Sequence, residues 1–294
     1  MTSMNEDFAA FILTHGRPDN VITYDTLRRQ GYTGRIVIVV DNTDKTVEAY
    51  KERFGDQVVV FDKAAVARTF DTADNSDDMR TIVYARNASY DIARDLGLKY
   101  FVQLDDDYVH FEWRYDSDLK YVFMPGEGAG RWFIHSLDKV FDALLTFIKE
   151  TPSLTVALAQ GGDFIGGHLS SSTKLTLKRK AMNSFFCDVD KPVRFVGRIN
   201  EDVNVYTRGS SVGELLFTAT HVALVQKATQ TNKGGMTDVY KLSGTYVKSF
   251  SSVMYHPSSV TVQMMGSTHP RLHHQVNWKA TAPKILSPRW RKEA

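Results

Sequence analysis

The chain has 294 residues, 43% of them hydrophobic and 12% aromatic, enough to enclose a sizeable core in one large domain or two small ones. Its 36 Lys and Arg against 34 Asp and Glu leave a formal charge of +2, which excludes binding of nucleic acid or membrane by bulk charge, so a polyanion partner has to be met by a local patch. A single cysteine, Cys187, excludes an intramolecular disulfide, no Cys/His spacing resembles a structural zinc site, and the first apolar run is too short and too acidic in its flank for a signal peptide or membrane span. The expectation is a soluble, unprocessed protein of a reducing cytoplasm, with no membrane partner.

In chain order, the apolar run from Phe8 to Leu13 breaks at Gly16 and Pro18 and predicts a buried strand ending near Thr14. Val21, Ile22, Tyr24 and Leu27 fall at helical spacing, with an N-cap at Asp19 or Asn20 and a stop at Gly31. The β-branched run Ile36 to Val40 closes on Asp41 as a second strand. A helix in DKTVEAYKERFG and a short strand in DQVVVFDK follow, and strand, helix, strand, helix, strand is the pattern of a parallel α/β sheet. The acidic, turn-rich segment 71–80 precedes a helix carrying Ile82, Val83, Ala85, Tyr90, Ile92, Ala93 and Leu96 and stopped by Gly97. KYFVQLDDDY then supplies a fourth strand, placing Asp105, Asp106 and Asp107 at its carboxyl end, where open α/β sheets bind ligands.

The second half is less regular. SLDKVFDALLTFIKE reads as an amphipathic helix, SLTVALAQGGDFIGG as a strand entering a glycine-rich loop, and FTATHVALVQ as another strand, while the stretch from Gly266 onward reads as a meandering arm or lid. No repeat and no Pro-rich linker divides the halves, so one composite domain is expected.

Three adjacent acids repel one another unless they are solvated or a cation neutralises them. On an extended segment side chains alternate, which puts Asp105 and Asp107 on one side and Asp106 on the other. That spacing lets two carboxylates share a hard cation such as Mn2+ or Mg2+, which keeps positions for phosphate oxygens. An acidic cap facing water is the plainer alternative.

Asp41 closes a strand where a carboxylate could accept a nucleobase imide N–H, and Thr14, His15, Gly16 and Arg17 form a small-residue loop open to a ligand. Arg86, beside Asn87, could approach a diphosphate or base. Glu201 and Asp202 either cap a helix start or supply a general base, with Asp202 preferred. His256, His269, His273 and His274 crowd one region, and spacing does not choose which could complete a metal shell. The runs Lys174 to Lys180 and Arg289 to Lys292 are basic patches suited to a nucleic-acid acceptor, and GGDFIGG fits neither a P-loop nor a dinucleotide fingerprint, leaving it as a wall of the acceptor site.

Together, ILTHGRP, IVIVVDN, ARNASYDIARDLGLKYFVQLDDDY and INEDV resemble the ordered landmarks of GT-A glycosyltransferases over about residues 8 to 205. The resemblance implies a Rossmann-like, mostly parallel central sheet flanked by helices, with an irregular C-terminal acceptor-side region. It implies a nucleotide-sugar-binding half over 1–110, an acceptor-side half over 111–265 and a C-terminal arm over 266–294 of one domain. By that resemblance Thr14, His15, Gly16, Arg17 and Asp41 hold the nucleobase, Arg86, Asp105 and Asp106 contact the donor, and Asp105, Asp107 and His274 bind the metal. Asp202, with Glu201 its nearest competitor, is then the catalytic base of an inverting hexosyl- or pentosyltransferase using a UDP-sugar.

More narrowly, THGRP, LDDDY and RLHHQVNW are similar to the TET/JBP-associated glycosyltransferases, many of them from bacteriophages, a group implicated in placing sugars on hydroxymethylated pyrimidines such as 5-hydroxymethylcytosine in DNA. That likeness implies a DNA acceptor and, for a phage protein, the host cytoplasm. The alternatives are a polysaccharide, lipid or protein acceptor, or a non-catalytic binding module. A nuclease is disfavoured because no second acidic strand cluster lies near the first.

Overall fold

The computed structural model describes residues 6–72, 74, 77–122, 132–164, 167–169, 180–226, 246–266, 270–281 and 288. The apolar runs of the first half become strands β1 (Phe8–Leu13), β2 (Arg35–Asp41), β3 (Val58–Phe61) and β4 (Tyr100–Asp105). Between them lie helices α1 (Ile22–Arg29), α2 (Val47–Phe54), α3 (Lys63–Ala67) and α4 (Val83–Asp95). The second half adds β5 (Tyr108–Trp113), α5 (Leu137–Glu150), β6 (Ser153–Ala159), β7 (Phe185–Asp188), α6 (Glu201–Ser211) and β8 (Leu215–Gln226).

These eight strands form one sheet in the order β3-β2-β1-β4-β7-β6-β8-β5. The β3–β2, β2–β1, β1–β4 and β6–β8 pairs are parallel, whereas β7 is antiparallel to both β4 and β6, and β5 is antiparallel to β8. Since β6 runs with β4, their carboxyl ends open on the same edge of the sheet. Every residue of β1 is buried, and its side chains divide by alternation. Phe8, Ala10 and Ile12 join a core with Val102, Leu104 and Phe141, while Ala9, Phe11 and Leu13 join another with Phe101, Tyr90 and Val203. Helix α5 packs on the first face through Leu137, Val140, Phe141, Leu145 and Ile148, a helical stripe.

Past β8 come α7 (Tyr246–Tyr255), β9 (Val260–Met265), β10 (Arg271–Val276) and α8 (Trp278–Thr281). Strands β9 and β10 pair antiparallel in a separate two-stranded sheet against α7, and α7 and α8 both pack on α6. The expected meandering arm is therefore in part an ordered hairpin, because Val260 is buried and the strands satisfy each other's backbone groups.

Two local expectations also give way. Pro18–Asn20 forms a turn of 3-10 helix, so neither Asp19 nor Asn20 caps α1, whose N-cap is Val21 without a side-chain bond. The aspartate triplet does not continue β4, which stops at Asp105 before the chain turns through Asp106 and Asp107 and returns as β5. No helix among the described residues is long and apolar enough to cross a membrane.

Gly31 ends α1 with φ +83°, and a Cβ there would lie 2.5 Å from the His135 carbonyl oxygen. Gly31→Ala is expected to lose about 1–3 kcal/mol of stability, read as a lower urea midpoint with an unchanged m-value.

Candidate active site

The turn at Asp105 to Asp107 is pinned by Thr23 of α1. The Thr23 hydroxyl donates to the Asp105 carbonyl at 2.6 Å and accepts from the Tyr108 N–H at 3.0 Å, while the Thr23 N–H donates to the Asp106 carbonyl at 3.1 Å. The side chains then separate. Asp106, 2% exposed, accepts from the Thr14 hydroxyl at 2.6 Å and pairs with Arg17 at 3.0 Å, so it faces the loop after β1. Asp105 faces the other way, toward Arg86 at 3.1 Å. Asp105 and Asp106 thus face opposite ways, as strand alternation anticipated for this pair, although a turn and not an extended segment produces it.

Arg86 is 1% exposed and sits between two carboxylates from distant parts of the chain. Its Nη2 meets Asp105 Oδ1 and its Nε meets Glu201 Oε1, both at 3.1 Å. The guanidinium carbon lies 4.9 Å from the Phe185 ring centroid and 5.8 Å from that of Phe195. Burial alone would lower the guanidinium pKa, but Asp105 and Glu201 reverse this and hold it ionised. Sealed in this way, the arginine braces the two carboxylates, while its buried Nη1 has no hydrogen-bond partner. Asn87, the next residue, bonds both backbone groups of Phe195, at 3.0 Å each, and so moors the segment leading to α6.

At the carboxyl end of β2, Asp41 has both oxygens occupied. Oδ1 accepts from the Thr43 N–H and hydroxyl, and Oδ2 from Lys63 at 3.2 Å, with His15 Nδ1 at 2.8 Å. Burial pushes the Asp41 pKa up, but the bonds from His15 and Thr43 and the Lys63 ammonium outweigh it and hold the carboxyl well below the usual range. A nucleobase N–H can therefore reach Asp41 only in competition with His15. Gly16, at φ +68°, turns its N–H onto Asp44 at 2.6 Å, and the Arg17 N–H donates to the Tyr50 hydroxyl at 2.8 Å.

Helix α6 begins with Glu201 and Asp202, where its dipole favours negative charge. Asp202 is buried, and its Oδ1 accepts from the Val203 N–H at 2.7 Å. Burial first, then the neighbouring Glu201, raises its pKa well above the ordinary value, against Arg86 and Lys248. The left-handed Asn200 donates to the Lys248 carbonyl at 2.6 Å, joining the start of α6 to α7. His274 on β10 is kept neutral, its pKa pushed down to about 4 by burial, His273 and Lys248, and its Nδ1 is buried with no hydrogen-bond partner.

Asp105 and Asp107 offer oxygen donors in a crowded anionic setting. Burial, offset in part by Arg86, and the nearby Asp107 and Glu201 raise Asp105 to about 6. Oxygen ligands of this kind fit Mg2+ or Mn2+. Among the described residues no group of three or more His, Cys, Asp or Glu could hold a metal, so His274 is not assembled with the two aspartates. The structure keeps it on the hairpin beside His273 and Lys248. His269 and the patch Arg289 to Lys292 lie outside the described residues, as does all of Lys174 to Lys180 except Lys180. Lys180 is itself ion-paired with the buried Asp163 of the glycine-rich segment.

Sequence reading did not single out Thr23, Tyr50, Lys63 or Lys248. Thr23 and Tyr50 occupy ordinary helix positions, and their polar atoms matter only because the fold brings the β1 loop and the aspartate turn onto them. Thr23 is fully buried yet polar, a combination that only the folded structure displays.

The model of the TET-Associated Glycosyltransferase family matches residues 8–235. No curated protein matches the sequence. Among solved structures, the mannosyltransferase PcManGT from Pyrobaculum calidifontis, in complex with GDP-Man and Mn2+, has a TM-score of 0.48 and 13% identity, covering 82% of this chain and 62% of that one. Glucosyl-3-phosphoglycerate synthase from Mycobacterium tuberculosis, in complex with Mg2+ and UDP, has a TM-score of 0.46 and 8% identity, covering 92% and 87%. S. aureus TarS 1-349 in complex with UDP-GlcNAc has a TM-score of 0.42 and 12% identity, covering 80% and 64%. This chain thus spans less than two thirds of the first and third of these.

Arg86→Met, in metal-chelating buffer, is expected to lose about 3–5 kcal/mol at neutral pH, because two buried carboxylates lose their counter-charge. The folded-state pKa of Asp105 lies above its unfolded value, so its favourable contribution is complete below 3.8 and disappears as pH rises through about 6. Removing Arg86 raises that pKa further, and the deficit in urea unfolding should shrink as pH falls through this window; an equal deficit at both ends would contradict the bracing role.

Proposed function

From the premise that the chain belongs to the TET-associated glycosyltransferase family, we propose that it moves a sugar from a nucleotide-sugar donor, a UDP-sugar, to a hydroxymethylated pyrimidine base in DNA, with inversion. The observation that carries the reading is the convergence of Asp105, Arg86 and Glu201, with Asp202 adjoining, at the carboxyl edge of the sheet. The loop from Thr14 to Arg17, backed by Tyr50, Asp44 and Asp106, stands at the donor end of the same edge.

Asp105 and Asp107 would hold a divalent ion, Mn2+ or Mg2+, together with diphosphate oxygens, and His274 would join them only if the hairpin moved from its place in this structure. When bound, that ion offsets charge on the departing diphosphate. Asp202 accepts the proton of the acceptor hydroxymethyl group, whose oxygen bonds to the anomeric carbon while the bond from that carbon to the phosphate oxygen breaks and the nucleoside diphosphate leaves with the electron pair. Glu201, held by Arg86, keeps a second negative charge beside Asp202 and so strengthens it as a base. Lys248, near Asp202 and Glu201, supplies the opposing positive charge.

Asp202→Asn should lower kcat by about 100-fold or more while leaving the dissociation constant of the UDP-sugar near wild type, and Asp107→Ala should weaken donor binding in Mn2+. Near-normal turnover in both would sink the assignment. A base whose pKa is raised works only once ionised, so kcat should climb with pH through a value above that of an exposed aspartate. Transfer to polysaccharide, lipid or protein with none to hydroxymethylated DNA would overturn the acceptor and leave the donor chemistry standing.

A further inference from the structure

The formal charge of +2 conceals a sharp partition. Residues 239–292 contain eight of the 36 Lys and Arg and none of the 34 Asp and Glu, which leaves 28 basic against 33 acidic residues in the 238 that precede them. The boundary falls just past residue 235, where the family match ends. A catalytic body of net negative charge, with Asp105, Asp106, Asp107, Glu201 and Asp202 gathered at its working edge, repels a phosphate backbone. The elements that follow the family match carry the opposite charge, and they pack beside that edge.

In the described part, α7, β9, β10 and α8 include Lys248, Arg271 and Lys279 and no acidic residue. Arg271 and Lys279 are exposed. The same elements carry exposed aromatic rings. Tyr246 and Phe250, one helical turn apart on α7, are 59% and 36% exposed, with ring centroids 4.6 Å apart. Trp278, 38% exposed, stacks on Tyr206 of α6, four residues beyond Asp202. Cations that track a backbone, interleaved with rings on which bases stack, are the two components of a single-strand nucleic-acid surface.

We propose that α7, the β9–β10 hairpin and α8 form the surface that receives the acceptor strand as locally unpaired DNA, with phosphates on Arg271 and Lys279 and unstacked bases on Tyr246 and Phe250. The proposal rests on the DNA-acceptor reading above and adds where the strand binds and in what form. Chemistry on a base requires that base to leave the duplex stack, so a surface that stabilises unstacked neighbours lowers the cost of presenting it to Asp202.

The test measures binding of a single-stranded oligonucleotide bearing hydroxymethylated cytosines by fluorescence anisotropy across a salt series, with UDP binding as a control. Arg271→Glu with Lys279→Glu should weaken oligonucleotide binding at least about tenfold at low salt and lower the slope of log K on log salt by about 1.4, two single-strand phosphates' worth. Arg271→Gln with Lys279→Gln should show the same direction with a smaller loss. Tyr246→Ser with Phe250→Ser should weaken binding by about tenfold with the salt slope unchanged. UDP affinity should stay at the wild-type value throughout. Oligonucleotide binding unaffected in all three variants would overturn this inference alone. Wild-type binding of UDP but not of DNA would overturn it together with the DNA acceptor, and wild-type binding of DNA but of no nucleotide sugar would overturn the transferase reading and leave the surface intact.

Discussion

One guanidinium holds this site together. Arg86 joins Asp105, at the end of a central strand, to Glu201, which lies 115 residues after Arg86 at the start of a helix. Burying a charge is costly, and the ion pairs repay that cost only because two carboxylates and two aromatic rings surround it. Removing any one partner leaves the others buried and unbalanced, so the arrangement resists piecemeal change. It fixes the distance between the carboxylate at the end of β4 and the one at the start of α6 more firmly than loop packing would.

Around that brace, charges are arranged in opposed pairs. Lys63 meets Asp41, Arg17 meets Asp106, Arg86 meets Asp105 and Glu201, and Lys248 stands against Asp202. The pairs do not leave every acid alike. Asp41 is held strongly ionised, because its hydrogen bonds outweigh burial, whereas Asp105, Asp106 and Asp202 are raised because burial outweighs their partners. Carboxyls that ionise at higher pH than exposed ones thus gather at the carboxyl edge of the sheet, and the cationic C-terminal elements lie beside them.

Much of the first half was legible because its signals are local. Phe8 to Leu13, Ile36 to Val40 and Val58 to Phe61 are apolar runs with glycine or turn residues at their ends, and each became a parallel strand close to its expected bounds. The second half was harder. Strand β7 is only the four residues Phe185–Asp188, and β5 follows the aspartate triplet with no spacer beyond a two-residue turn, so neither stands out by periodicity. The hairpin of β9 and β10 carries His273 and His274 at mostly half-buried or exposed positions, and its pattern reads as an irregular arm until the two strands are seen to pair.

Composition and order determined the class of the protein: alternating strands and helices dictate a parallel sheet, and carboxylates written at strand ends must emerge at its carboxyl edge. The partition of charge at residue 239 was also present in the sequence, hidden by a total that nearly cancels. Only the tertiary structure decided what each of these groups does. It sealed Arg86 between Asp105 and Glu201, filled Asp41 with His15, Thr43 and Lys63, and turned Asp106 toward Thr14 and Arg17. The reason is distance along the chain. Ion pairs and hydrogen bonds between residues tens to more than a hundred positions apart leave no periodic trace, so only the packing of one element on another reveals which partner a charge has found.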